Sequence, residues 1–365
     1  MKIAYINAGN EFGGGLTHII SLLKEFEKDD VDLLVFEEGP VAKAAREEGI
    51  PVYVFEQKNR FDIKVLYRLR RFIEEQGYTI LHTHGPRANT LIALLDPFIH
   101  VYWIMTVHSH PLLDFKDRGI KGKAFERIHR LTFKRADGII TVSNEIKEVL
   151  HSFGVSSDGI KVIHNGIRFS ESAEQHSRRR SEVFTLITVG RLNKIKGYSN
   201  LMDVLKTVEF EEWQWIICGD GEERVRLQTR GRDYGLSGNL NFKGWLSSTE
   251  IREEMHQADI FVLPSLSEGF PLILLEAADE KVPAVATDVG DVREVIKDSS
   301  MGWLVPPHNN EELKEALSQA YSLWKKDQLS EKGKNLHAWA IRFSIEQQAK
   351  KVKSFYQEII EKNQK

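Results

Sequence analysis

The feature that most limits what this chain can fold into is a unit that recurs along its length. A short apolar run stops at a glycine or small polar turn, and a segment with helical periodicity follows. In the first half these runs cover 2–8, 32–36, 51–55, 80–84, 102–108, 138–143 and 161–163. In the second half they cover 184–192, 213–218, 240–246, 258–264, 283–291 and 302–307. Apolarity without in–out alternation predicts strands buried on both faces, which means parallel sheets covered by helices. At 365 residues the chain exceeds one ordinary core, so two such α/β domains of about 150 to 200 residues each are expected. The polar, arginine-rich stretch from Ser170 to Ser181 has almost no apolar residue to bury and reads as the linker between them. The boundaries read from these signals are 1–166, a linker at 167–182, 183–340, and a final helical segment at 341–365 with an apolar stripe of Val352, Phe355, Tyr356 and Ile359.

Composition excludes some functions. A formal charge of -3 argues against a chain that coats nucleic acid. The single cysteine, Cys218, lies in an apolar run and reads as a small buried hydrophobe. The chain opens directly into a strand without the apolar region of a leader, and no run reaches the length of a membrane span, so a cytoplasmic location is expected.

Candidate chemistry gathers where strands end, because ligands of parallel α/β sheets bind at the carboxyl edge. From Ser267 to Ala277 a strand runs through a glycine turn into a helix and carries Glu268 and Glu276. The unpaired N–H groups at such a helix start suit a diphosphate, and the two carboxylates suit sugar hydroxyls beside it. Gly269, Phe270, Leu272 and Ile273 are the expected backbone contributors; Pro271 has no N–H to offer. Gly190 ends an earlier strand and is followed by Arg191 and Lys196, a planar fork and a point charge matched to a diphosphate. Near the N-terminus Gly13-Gly14-Gly15 forms a glycine-rich strand-to-helix turn that lets backbone approach a phosphate, without the dinucleotide spacing.

These pieces, in this order, resemble the large retaining glycosyltransferase family four, across nearly all of the chain from Ala4 to about Pro307. Glu268 and Glu276 match its E-x7-E motif, Gly190-Arg191 with Lys196-Gly197 its cationic motif, and Gly219-Asp220-Gly221 its turn near the nucleotide base. The resemblance implies the GT-B architecture, two Rossmann-like domains facing each other across a cleft, with the last helix crossing back to the first domain. It implies a nucleotide-sugar co-substrate, most simply a UDP-sugar, transfer without a metal or other cofactor, and an acceptor held by the first domain. It gives Arg191 and Lys196 the leaving diphosphate, Glu276 the ribose, Glu268 and His108 the transferred sugar, and Gly14, Gly15, Gly190, Gly219, Gly221 and Gly269 backbone approach. Asp291 stands where a second glycine is usual, which bears on sugar preference.

Two His-x-His pairs, His82/His84 and His108/His110, end strands; residues two apart share a face, so each pair offers two ligands. With no thiolate or carboxylate in either segment, they read as polar groups at the ligand edge. Asp30-Val31-Asp32 sits at a strand start and reads as a chance D-x-D match. Between Phe115 and Arg135 there is a surplus of six positive charges, interleaved with Phe125, Ile128, Leu131, Thr132 and Phe133. A second basic cluster runs through Lys58, Arg60, Lys64, Arg68, Arg70 and Arg71. Both suit an anionic membrane surface at its inner face, and with it a lipid-linked or cell-envelope acceptor; the alternative for the first segment is a solvated helix face whose apolar residues lie in the core. Two rival functions share the fold: a nucleotide-sugar 2-epimerase, which needs acid/base carboxylates in the first domain, and a non-catalytic sugar-nucleotide sensor.

Overall fold

The structure, a computed structural model, describes all residues except 12–13, 58–61, 63, 110, 112–118, 171–181 and 364–365, with backbone alone at 14, 119–121 and 123–126. His110, most of the expected linker, and Lys58, Arg60, Phe115, Lys116 and Arg118 therefore lie outside the described residues. Two compact units are present: Met1–Arg168 with Ile345–Lys365, and Phe169–Ser344.

In the first unit the strands are β1 (Ile3–Asn7), β2 (Val31–Val35), β3 (Val52–Val54), β4 (Ile80–His84), β5 (Tyr102–Val107), β6 (Gly138–Thr141) and β7 (Ile160–Val162). They pair in the order β3-β2-β1-β4-β5-β6-β7, every pairing parallel. β1, β2 and β4 are buried at every residue, which is why apolar residues stand at consecutive positions in them rather than alternating, with Asn7, Asp32, His82, Thr83 and His84 as buried polar exceptions. The chain builds outward from β1 through β2 to β3, then returns to β4 on the other flank of β1. The β1/β4 junction is therefore the point where strand order reverses, the usual ligand position in such sheets.

The second unit repeats the plan with β8 (Phe184–Val189), β9 (Trp213–Cys218), β10 (Leu240–Gly244), β11 (Ile260–Leu263), β12 (Ala284–Thr287) and β13 (Gly302–Val305). Their order is β10-β9-β8-β11-β12-β13, again parallel throughout. Here the order reverses at β8/β11. Each sheet buries a tryptophan whose indole N–H finds a threonine hydroxyl, Trp103 to Thr83 at 2.9 Å and Trp215 to Thr188 at 3.0 Å, so neither ring leaves a buried donor unmet. Cys218 is buried at the end of β9, where burial pushes its thiol up to about 12.

The last helix, Ile345–Asn363, belongs to the first unit, as the resemblance implies. Its buried stripe of Val352, Phe355, Tyr356 and Ile359 joins one core with Ile3, Tyr5 and Ile140. Gly138 on β6 makes room for it: a Cβ there would lie 2.9 Å from the tip of the Phe355 ring. The helix starts four residues later than the boundary read from sequence. Ile341–Phe343 forms a separate 3-10 turn that stays with the second unit, and extended Ser344 divides the two. The stretch read as linker is engaged at its start. The Arg168 guanidinium pairs with Glu25 and Glu346 in the first unit, whereas Ser170 donates from N and Oγ, both at 3.0 Å, to Asp279 in the second.

Candidate active site

In the second unit the turns after β8 and β11 lie side by side at the reversal point. Two backbone contacts fix them: Leu266 N–H donates to the Ile195 carbonyl at 2.7 Å, and Gly197 lies against Pro264. Gly197 has φ of +67, and a Cβ there would sit 1.9 Å from the Pro264 carbonyl oxygen, so no other residue fits. This seating brings Lys196 onto Glu268, with Nζ 2.6 Å from Oε1. Ser265 Oγ donates to the same carboxylate oxygen at 2.6 Å. Lys196 and Glu268 side chains are 25% and 12% exposed, so the pair is shielded yet reachable. Arg191 sits on the same β8 turn but extends into solvent, where its guanidinium meets the Glu222 carboxylate at 3.4 Å. An exposed pair of this kind contributes about 0–1 kcal/mol and leaves Arg191 able to change partners.

The Leu272–Asp279 helix begins after Pro271, and no side chain caps its first turn. Its first internal bond is the tight Leu274 N–H to Pro271 carbonyl contact, so the amides of Leu272 and Ile273 precede the helical ladder. Phe270 is buried and packs on Phe343, with ring centroids 5.1 Å apart, which makes it a support for the turn. Glu276 lies one turn into this helix, about 6 Å along its axis from Leu272. Burial pushes its carboxyl up to about 7; nearby Arg252 acts in the opposite direction and Asp279 in the same one. Two glycines expected near the nucleotide have a packing reason. A Cβ on Gly219 would lie 2.0 Å from the Gly190 carbonyl oxygen, and one on Gly221 2.4 Å from that of Leu192. They hold the β9 turn directly against the turn that bears Arg191. Sequence reasoning missed Ser265, whose signal is a hydroxyl three residues before Glu268. It also missed Gly290, where a Cβ would meet the Glu268 carbonyl oxygen at 2.2 Å.

In the first unit the edge at β1/β4 carries Asn7, Glu11, His84, Gly85 and, one strand over, His108. Asn7 Nδ2 donates to Glu11 Oε1 at 2.9 Å and to the His84 carbonyl at 3.4 Å. Burial raises the Glu11 carboxyl above its ordinary range, and the Asn7 bond opposes this. Glu11 escaped the sequence reading because it lies in the glycine-rich loop rather than on a strand or helix. A Cβ on Gly15 would stand 2.8 Å from Glu11 Oε2, so that glycine leaves room for the carboxylate; Gly14 begins the Gly14–Leu23 helix. His82 and His84 do not act as a pair. His82 binds the Tyr356 hydroxyl through Nδ1 at 2.5 Å and Thr106 Oγ1 through Nε2 at 2.7 Å. His84 instead meets His108, Nδ1 to Nε2, at 2.9 Å. Asp30 pairs with the N-terminal amine, and Asp32 accepts from the Tyr78 hydroxyl, so the D-x-D residues hold the sheet's other end.

The basic helix, Gly119–Phe133, divides its apolar residues. Thr132 and Phe133 are buried, as the core alternative has it, and Phe133 joins the core that includes Ile139. Ile128 and Leu131 are 46% and 62% exposed, among exposed Arg127, Arg130 and Lys134. Two neighbouring helices add exposed Tyr67 and Leu94. The second basic cluster is weaker than its sequence suggests, since Arg70 and Arg71 pair with Glu74 and Glu75 four residues on. No helix among the described residues is long and apolar enough to cross a membrane.

Two family models divide the chain: Glycosyltransferase Family 4 over residues 12–171 and Glycosyl transferases group 1 over 169–336. The chain is 27% identical over 312 residues to a phosphatidyl-myo-inositol mannosyltransferase of Mycobacterium leprae, covering 83% of this chain and 79% of that protein. It is 26% identical over 310 residues to an Escherichia coli UDP-Gal:alpha-D-GlcNAc-diphosphoundecaprenol alpha-1,3-galactosyltransferase, covering 78% and 79%. Among solved structures, Anabaena HepE in complex with UDP superposes with a TM-score of 0.85 at 20% identity, over 98% of this chain and 100% of that one. On these matches and on the two Rossmann-like units, the chain belongs to glycosyltransferase family 4, the glycosyl transferases group 1, with the GT-B fold.

Proposed function

We propose that this glycosyltransferase moves a hexose from a UDP-sugar, with retention at the anomeric carbon, to a lipid-linked acceptor of cell-envelope glycan synthesis. The observation that carries the reading is the Lys196–Glu268 pair at the β8/β11 reversal, beside an uncapped helix start. Lys196 supplies a cation for a diphosphate and Glu268 an acceptor for sugar hydroxyls, within one hydrogen bond of each other. The helix amides of Leu272 and Ile273 add partial positive charge where the leaving group gains negative charge, stabilisation that acts most strongly in the transition state. Arg191, able to leave Glu222, is the second cation. Glu276 accepts from the ribose hydroxyls, and its ionised form is the competent one. In the first unit we assign His108 to the sugar and Glu11 to an acceptor hydroxyl. In the reaction the bond from the anomeric carbon to the diphosphate breaks, the acceptor oxygen bonds on the same face, and its proton passes to the departing phosphate. No metal enters this scheme.

The relatives' own names support the substrate class: one uses UDP-galactose on a diphosphoundecaprenol-linked sugar, and the other acts on a phosphatidylinositol. A cytoplasmic enzyme attached at the inner membrane face fits such acceptors. One observation favours a second reading. Glu11 is a carboxylate of raised pKa at the first unit's ligand edge, which is what a nucleotide-sugar 2-epimerase would need. A donor screen that follows enzyme-dependent UDP release, with NMR of the products, tests both. UDP release with an α-linked product from an α-linked donor is expected. An epimerised nucleotide-sugar without release supports the epimerase, and binding without either overturns the enzymatic reading in favour of a sensor.

A further inference from the structure

Three histidines converge at the carboxyl edge of the first sheet. His84 closes β4, His108 follows β5, and His18 comes from the second turn of the Gly14–Leu23 helix. A ring nitrogen from each lies within 4.8 Å of the other two. His84 Nδ1 and His108 Nε2 are 2.9 Å apart, and the His18 ring meets His108 edge-on with centroids separated by 4.8 Å. His18 and His84 are 2% and 1% exposed, yet His18 Nδ1 and His84 Nε2 have no hydrogen-bond partner among the described residues. Buried polar nitrogens are normally satisfied, so this arrangement calls for a ligand.

Its chemistry selects the ligand. An imidazole ligates a metal through the lone pair of a ring nitrogen, and the three rings bring one nitrogen each within 4.8 Å of the other two. His82 packs nearby, its ring tilted against that of His84, but spends both nitrogens on Tyr356 and Thr106, so it is not a fourth ligand. Three imidazoles without a carboxylate suit zinc-like ions and not magnesium or calcium, which prefer oxygen.

We propose that His18, His84 and His108 form a site for one divalent transition-metal ion of the zinc type, and that filling it inhibits sugar transfer by occupying His108. The second half rests on the transferase reading above; the first half does not. A His108 nitrogen bonded to the metal cannot at the same time bond a sugar hydroxyl. The device makes the transferase sensitive to free zinc while needing no metal for turnover.

The test uses the full chain without a histidine tag, stripped with chelator. Calorimetric titration with zinc and visible absorption with cobalt are read on wild type, His18→Ala and His84→Ala, with His18→Gln as a milder variant. One ion per chain is expected, with cobalt bands of a low-coordinate nitrogen site. Loss of a direct ligand should weaken affinity by more than about 100-fold, beyond the usual effect of removing a supporting group. Circular dichroism selects the variants that fold. Failure of wild type to bind zinc at 100 µM, a concentration set by the experimenter, overturns the site and leaves a buried water as the partner of the two nitrogens. Undiminished binding in a folded His18→Gln protein also overturns it. If binding behaves as expected but zinc leaves UDP release unchanged, the site stands and the inhibition is refuted; if no UDP release occurs at all, the binding result still decides the site.

Discussion

Lys196 Nζ lies 2.6 Å from Glu268 Oε1, so two groups assigned to different parts of a nucleotide-sugar are bonded to each other. The pair satisfies a half-buried ammonium and carboxylate, and each residue orients the other. On the function proposed above, a diphosphate that takes the lysine and a sugar hydroxyl that takes the glutamate compete with this internal bond.

Lys196→Ala should lower turnover about 100- to 1000-fold, the usual effect of removing one group that stabilises developing charge. It should also cost about 1–3 kcal/mol of stability, because Glu268 keeps only Ser265. Steady-state kinetics and chemical denaturation check the two numbers. A folded variant with near-normal turnover removes Lys196 from the site.

Glu276 and Glu268 should separate by ligand. Glu276→Ala weakens free UDP, whereas Glu268→Ala weakens only the intact donor, as competition binding would show. The raised carboxyl of Glu276 adds a pH test. A carboxyl whose folded pKa is about 7 against an unfolded 4.5 binds more protons folded than unfolded, so its contribution to stability is present below pH 4.5 and is lost as pH rises through 7. That loss is on the order of 3 kcal/mol. Glu276→Gln should therefore be more thermostable than wild type at pH 8, differ little at pH 5, and bind UDP more weakly at pH 8. Equal melting shifts at both pH values would reject the assignment.

Much of where these residues stand in the fold is legible in the sequence. β11 is a continuous apolar run, and a run buried on both faces announces its own burial. Lys196 and Glu268 stand in the turns that follow strand ends and Glu276 in the helix after one of them, where position along the chain is close to position in the sheet edge. What could not be read needs contacts between distant segments. The Lys196–Glu268 bond spans 72 residues, the Tyr356–His82 bond spans 274, and His18 meets His108 from a helix whose apolar face gave no sign of a partner. The place of Phe133 stays open in the sequence for a related reason: a short amphipathic segment shows that two faces exist, but only the sheet it covers decides which face is inward.

The Tyr356 hydroxyl donates to Tyr5 Oη at 2.9 Å and also meets His82 Nδ1, joining the last helix to β1 and β4 inside the core. Tyr356→Phe leaves both partners short of a bond and should cost about 1–3 kcal/mol. Phe355→Ala, which opens a cavity over Gly138, should cost about 3–5 kcal/mol. Ending the chain at Ser344 removes the whole stripe and should leave the first unit unfolded or aggregated, since each lost apolar side chain is worth about 1.5–3 kcal/mol against a total of about 5–15. A truncated protein that melts like wild type would contradict the role given to this helix.

Attachment to a membrane has a narrower basis in the structure than in the sequence. The Gly119–Phe133 helix keeps Ile128 and Leu131 in solvent, three residues apart and flanked by Arg127, Arg130 and Lys134, which is the arrangement of a helix lying in an interface with cations at the headgroups. Thr132 and Phe133 contribute to the core instead. With Ile128 and Leu131 the exposed large apolar residues among this helix's described side chains, attraction of basic groups to anionic lipid, about 1 kcal/mol each near the surface, must supply much of the binding, so salt should reverse it. Co-sedimentation with anionic vesicles at low salt is expected, with little on neutral vesicles. Changing Lys121, Lys123, Arg127 and Arg130 together to Glu should abolish it, and Ile128→Ser with Leu131→Ser should weaken it while leaving thermal stability nearly unchanged, because both side chains are already in water. Binding that survives the charge reversal, or that neutral vesicles match, would show that this face is an ordinary solvated surface of the first unit.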